Sequence, residues 1–134
     1  MPRFHAVFYR ATDGTEPVDA FIEALDFPRR QAALDFQIGR LNLLSATDPH
    51  LPFPHSSQVE GALRELRCHY ERELYRILYR RSGSLLVLLH IFRKDTGTIP
   101  EHEIEIARKR WADFKHRMDA SPRVPPRAVG NDAP

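Results

Sequence analysis

Between Ala62 and Arg93 the sequence holds three strand-like runs, ALRELRCHY, ELYRILYR and LLVLLHIFR, almost without interruption. Strands that follow one another this closely are joined by turns too short for a crossover, so they pair antiparallel with their neighbours in the chain. The second and third runs are separated by Arg81-Ser82-Gly83-Ser84, a short turn suited to that arrangement. A three-strand antiparallel meander is therefore the expected centre of the fold, and the remaining segments must cover it. The third run is apolar on both faces through Leu89, which marks it as the most buried strand.

The flanks supply that cover. Residues 3–10, RFHAVFYR, read as a strand that stops at the turn cluster Thr12-Asp13-Gly14. Thr15 is placed to cap a helix with Pro17 in its first turn, and Val18, Phe21, Ile22 and Leu25 follow at helical spacing. Pro28 breaks this helix. A second runs from Arg29 to about Ser45, with Leu34, Ile38 and Leu41 on one stripe and Phe36 and Leu44 near its edges, so the two form a helical hairpin. Residues 47–58 contain three prolines and two histidines and read as a loop. After Gly97 and Pro100, a last helix carries Ile104, Ala107, Trp111 and Phe114 on one face. The expected order is β, α, α, β, β, β, α, an α+β fold over residues 1–118 with a disordered tail over residues 119–134, where periodicity and aromatic residues are lacking.

A chain of 134 residues with 42% hydrophobic content holds one core, not two. Its single cysteine, Cys68, excludes an internal disulfide and a CxxC metal knuckle. The longest apolar run, Leu85 to Leu89, is far too short to span a bilayer, and a cytoplasmic protein is expected. Net charge is +2, but it is unevenly distributed: residues 1–63 carry 5 basic and 8 acidic side chains, residues 64–94 carry 8 and 3, and residues 95–134 carry 7 and 7. A positive field confined to the strand segment favours a phosphate-bearing or acidic partner.

Side-chain alternation decides where those charges point. Glu65 and Arg67 share one face of the first run, and Arg76, Leu78 and Arg80 share one face of the second. If helices cover only one side of the meander, Glu65, Arg67, Arg76 and Lys94 converge on the open side. Arginine grips phosphate bidentately, lysine adds a compact cation, and both stabilise charge growing on phosphorus. A carboxylate such as Glu65, or a lysine with a depressed pKa, can take the proton of a ribose 2′-hydroxyl, and this chemistry requires no metal. The plainer reading is that charge on an open sheet face serves solubility and that Glu65 pairs with Arg67 or Arg76 across strands. Arg76, between Tyr75 and Ile77 in an otherwise apolar run, fits that reading least. No Gly-rich phosphate loop, GxSxG elbow, HExxH or Cys/His cluster occurs, which sets aside nucleotide hydrolases, serine hydrolases and zinc enzymes. Both early helices lie in the acidic segment and make poor readers of a DNA groove.

Four segments carry a family resemblance: Leu63-Arg64-Glu65-Leu66-Arg67, Tyr75-Arg76-Ile77-Leu78-Tyr79, Leu88 to Lys94 (LLHIFRK), and Pro100 to Ala107 (PEHEIEIA). In this order and spacing they resemble the phage-derived, HigB-like branch of the RelE/ParE toxin superfamily, over roughly residues 3 to 117. The resemblance implies a RelE-like fold and a type II toxin that cleaves mRNA, usually at the ribosome, by attack of the 2′-hydroxyl on the adjacent phosphate. It gives Arg76 the phosphate, gives Lys94 the transition state or leaving oxygen, and puts Glu65 and Arg67 on the strand supplying the base and phosphate contacts. Arg64, Tyr79, Arg80, His90 and Arg93 are the further residues expected to contact RNA. Some relatives carry a catalytic tyrosine near their end; here none follows Tyr79, which leaves His90 and Lys94 as candidates for the general acid. The implied partners are a helix-turn-helix antitoxin and mRNA on the ribosome, with no cofactor and no membrane. Two other functions fit the same resemblance: a ParE-like toxin that inhibits DNA gyrase without cutting RNA, and an inactive phage remnant that retains only antitoxin binding.

Overall fold

A computed structural model describes residues 3–94 and 97–120. Its elements are β1 (His5–Phe8), α1 (Pro17–Glu23), α2 (Pro28–Leu41), β2 (Ser56–Glu60), β3 (Leu63–Tyr70), β4 (Glu73–Ser82), β5 (Leu85–Arg93) and α3 (Glu101–Asp119). The strands form one mixed sheet in the order β1-β5-β4-β3-β2. Strands β2 to β5 run antiparallel to their neighbours, whereas β1 lies parallel to β5 with His5 opposite Leu85. The α+β class is as expected, but the three-strand meander is part of a larger sheet. The stretch taken for a loop ends in β2, whose SSQVE sequence has one apolar residue and lacks a strand signature. An edge strand needs little of one, because its main-chain pairing with β3 holds it.

The helix boundaries follow local chemistry. Pro17 and Pro28 each occupy the first turn of their helix, where a missing N–H costs nothing. Thr15 is not the cap: Glu16 holds that position without a side-chain cap bond, and the Thr15 hydroxyl instead donates to Asp13 Oδ1 at 2.7 Å. The expected stripe of α2 is correct, with Leu34, Ile38 and Leu41 fully buried, while Phe36 faces outward.

Helices cover both sides of the sheet. On one side α1 and α2 bury Val18, Ile22, Leu34 and Ile38 against Leu66, Ile77, Tyr79 and Leu88. On the other, α3 buries Ala107 and Phe114 against Leu78, Leu89 and Phe92. A bulge in β5 serves this second layer: His90 lies opposite Leu78 and Leu88 opposite Tyr79, so Leu89 is the inserted residue. After the insertion the alternation of β5 is reversed, which brings Phe92 to the α3 side. The side expected to be open is thus roofed by α3, and only the stretch near the start of that helix remains accessible. The tail assigned to residues 119–134 falls, beyond Ala120, outside the described residues, and Asp119 is the last residue of α3.

Candidate active site

Arg67 and Arg76 stand directly opposite each other on β3 and β4. Two guanidinium groups in that relation repel, and a carboxylate beside them offsets the repulsion. Glu65 is that carboxylate, two residues along β3 on the same face: its Oε1 accepts from Arg67 Nε at 2.7 Å and lies 3.9 Å from Arg76 Nε. Glu65 and Arg76 are each only 4% exposed. Two cations against one anion leave the group with one net positive charge.

The three side chains line a cavity of about 340 Å³ with Ser57 of β2, Gly97 of the β5–α3 loop and Ile104 of α3. Arg76 Nη1 donates to the Gly97 carbonyl at 3.2 Å, but among the described residues its buried Nε has no hydrogen-bond partner. An unsatisfied charged donor in the wall of a concave site is a strong attractor for an anion. Arg67 is held from behind, its N–H donating to the His55 carbonyl at 2.8 Å and its own carbonyl accepting from Gln37 Nε2 at 3.0 Å. Its guanidinium carbon lies 5.4 Å from the centre of the Phe53 ring, a cation–π contact. Phe53 itself is 73% exposed, on the loop before β2.

Glu65, Arg67 and Arg76 therefore come together as expected, and the other six expected residues do not join them in this cavity. Lys94 follows the end of β5 and donates its N–H to the Leu74 carbonyl at 3.2 Å; it lies alongside Gly97 and outside the lining. The His90 ring is committed to α3, with Nε2 2.9 Å from Glu103 Oε1 and Nδ1 3.2 Å from Arg110 Nη1, and it stacks on Phe92. Burial holds its imidazole below the ordinary value against the opposing pull of Glu103, so His90 is a packed interface group and not an available general acid. Tyr79 is 1% exposed and its hydroxyl lies 2.9 Å from Ser56 Oγ, so its ring is no open platform for a base. Arg80 lies over the Trp111 ring at 4.5 Å. Arg64 faces the opposite side of the sheet, and Arg93 is 4.0 Å from Glu73 on that side as well. Burial pushes the Cys68 thiol up to about 12, which removes it as a nucleophile.

Sequence reasoning missed Ser57, Gly97 and Phe53. The first two carry no pattern of their own, and the third is an aromatic residue in the proline-rich loop before β2. Among the described residues, no group of three or more His, Cys, Asp or Glu is placed to hold a metal ion, and no helix is long and apolar enough to cross a membrane.

A mixed sheet layered by helices on both sides, with Glu65, Arg67 and Arg76 lining a cavity near the start of its last helix, defines a small α+β protein. The family model of the phage-derived Gp49-like proteins (DUF891) matches residues 21–112, which contain every residue of this cavity, and the chain belongs to that family. The family is one associated with toxin–antitoxin systems of the RelE/HigB-like kind. No curated protein matches the chain.

Proposed function

We propose that this protein is the toxin of a type II toxin–antitoxin pair, HigB-like in type, and that it is an endoribonuclease acting on mRNA at the ribosome. The observation that carries this reading is the buried Arg76, its Nε 3.9 Å from Glu65 and without a hydrogen bond among the described residues, in a cavity shared with Glu65 and Arg67. In the proposed reaction Arg76 binds the non-bridging oxygens of the scissile phosphate. Glu65 accepts the proton of the neighbouring 2′-hydroxyl while Arg67 holds the carboxylate in place. The 2′-oxygen then bonds to phosphorus as the bond to the 5′-oxygen breaks, leaving a cyclic phosphate and, once that oxygen is protonated, a 5′-hydroxyl. Lys94, beside Gly97, is the residue assigned to supply that proton. Cations fixed before the reaction begins need no reorganisation as charge develops, which is the largest catalytic contribution such a site makes. The exposed Phe53 ring, beside Arg67, is a ready surface on which a flanking base can stack.

The test is expression without an antitoxin, followed by growth measurement and mapping of RNA 5′ ends. Discrete cuts within translated codons, lost with growth arrest in a folded Arg76→Ala variant, are the expected result. Growth arrest with intact messages and inhibited gyrase supercoiling would overturn it in favour of a gyrase poison; normal growth would point to an inactive remnant.

A further inference from the structure

The side of the sheet opposite the candidate active site holds a second cavity, of about 410 Å³, bounded by β2, β3, β4, β5 and the loop before β2. Arg64, Arg81, His50, Tyr79 and Leu86 line it. Neither arginine meets a carboxylate among the described residues. Arg64 Nε donates to Ser56 Oγ at 3.2 Å, and Arg81 Nε donates to the Gly83 carbonyl at 2.7 Å while its guanidinium lies over Phe4. The His50 imidazole sits below its ordinary value through burial first and then through the fields of Arg64 and Arg81, which outweigh the Pro49 backbone and Asp48 pulling the other way. A small anion alone would not need the apolar surface that Pro49 and Ala62 add to this lining; a phosphate carrying a ribose would use both halves.

Gln58 lines both cavities. It lies on β2, the edge of the sheet, between Ser57 and Val59, which line the first cavity. The two sites therefore meet across a single strand with nothing paired to its outer edge among the described residues, and a strand is only about 5 Å wide in that direction. We propose that the second cavity is a nucleotide subsite: an RNA whose scissile phosphate sits at Arg76 crosses β2 at Gln58 and places the phosphate of a neighbouring nucleotide between Arg64 and Arg81. This rests on the RNA-cleavage reading above. An acidic protein segment would find the two guanidinium groups but would leave the apolar wall unused.

The test is titration of the full chain with non-cleavable oligoribonucleotides of two lengths, one confined to the first cavity and one long enough to reach the second. Wild type, Arg76→Ala, the double variant R64Q/R81Q and the charge-conserving R64K/R81K are compared, each shown folded by circular dichroism. In wild type the longer RNA binds about tenfold tighter, the scale of one charge-assisted phosphate contact. Arg76→Ala keeps that gain on a weaker base, R64K/R81K keeps most of it, and R64Q/R81Q loses it. The salt dependence of the longer RNA also falls by about 0.7 in log–log slope in R64Q/R81Q, the value of one single-strand phosphate. An unchanged length gain in R64Q/R81Q overturns the subsite and leaves Arg76 as it was. A gain that survives while binding of a hexaglutamate peptide disappears overturns it in favour of an acidic protein partner. Absence of RNA binding by wild type overturns it as well, and the mapped cuts in cells then decide separately whether the cleavage reading stands.

Discussion

The Arg76 guanidinium is tied by Nη1 to the carbonyl of Gly97, 3.2 Å away, so the cation in the middle of β4 is positioned by the loop that leads into α3. Gly97 has φ +86°, in the left-handed region that side chains avoid. Space is not the constraint there, since a Cβ would meet nothing closer than Lys94 Cε at 3.9 Å. Gly97→Ala is therefore expected to cost about 1 kcal/mol or more through backbone strain alone. It should also displace the carbonyl from Arg76 and weaken RNA binding. Urea denaturation and oligonucleotide titration of the same variant check both effects, and a variant as stable as wild type would show that the loop accommodates the change.

Glu65 separates two like charges as well as facing the cavity, and two substitutions divide those roles. Glu65→Gln keeps an oxygen for Arg67 Nε but accepts no proton, so the cleavage rate should fall by about 10²–10⁴ with the fold retained. Glu65→Ala leaves Arg67 and Arg76 opposed with nothing between them and should be the less stable of the two. Initial cleavage rates and denaturation midpoints provide the comparison. Full activity in Glu65→Gln would show that the proton goes elsewhere.

Phe53 is exposed and makes no core contact, so Phe53→Ala should alter stability by no more than about 0.5 kcal/mol. RNA affinity should drop about tenfold, since stacking of one base on an aromatic ring is worth about 1–3 kcal/mol. Phe53→Trp should restore it. Affinity unaffected by Phe53→Ala would remove the ring from the binding surface.

Acid sensitivity should centre on Glu73. Its carboxylate accepts from Arg30 Nε and Nη2 at 2.8 and 2.7 Å and from the Tyr75 hydroxyl at 2.6 Å, and these bonds, those of Arg30 first, hold it at about 2, well below the ordinary value of 4.5. A carboxylate lowered in the folded state stabilises the protein fully above the unfolded value, and that stabilisation is lost as pH falls through the folded one. Wild type should lose stability between about pH 4.5 and 2, and Glu73→Gln should lose less over the same interval. Denaturation midpoints across that range provide the measurement; parallel curves would assign the acid transition to other groups.

The order of elements from β1 to α3 was legible because helical stripes such as Leu34, Ile38, Leu41 and the apolar run of β5 are dictated by burial, which sequence periodicity reports directly. Strand β2 was not, because an edge strand held by main-chain bonds places little demand on its side chains. The second covering layer was hidden for another reason: alternation along one strand says which residues share a face, but not whether a distant helix closes over it. That gap accounts for His90 and Arg80, which were expected to contact RNA and are engaged by Arg110, Glu103 and Trp111 of α3. Glu65, Arg67 and Arg76 were readable as a group because they lie on adjacent strands in uninterrupted register. Lys94 lies beyond the bulge at Leu89 and past the end of β5, where that register no longer says which way a side chain points.

The parallel pairing of β1 with β5 makes closure of the sheet a late step in folding during synthesis. His5 leaves the ribosome first among the sheet residues, and its partner Leu85 emerges only when most of the chain has been made. Until then the N-terminal strand has only its bonds to the residues after α2, Phe4 N–H to the Leu44 carbonyl and Ala6 N–H to Asn42 Oδ1, and strand contacts so distant in sequence form late. The Arg76 loop anchor at Gly97 comes later still. The cavity therefore assembles only after β2, β3, β4 and the Gly97 loop have all been made, and no N-terminal part of the chain carries it.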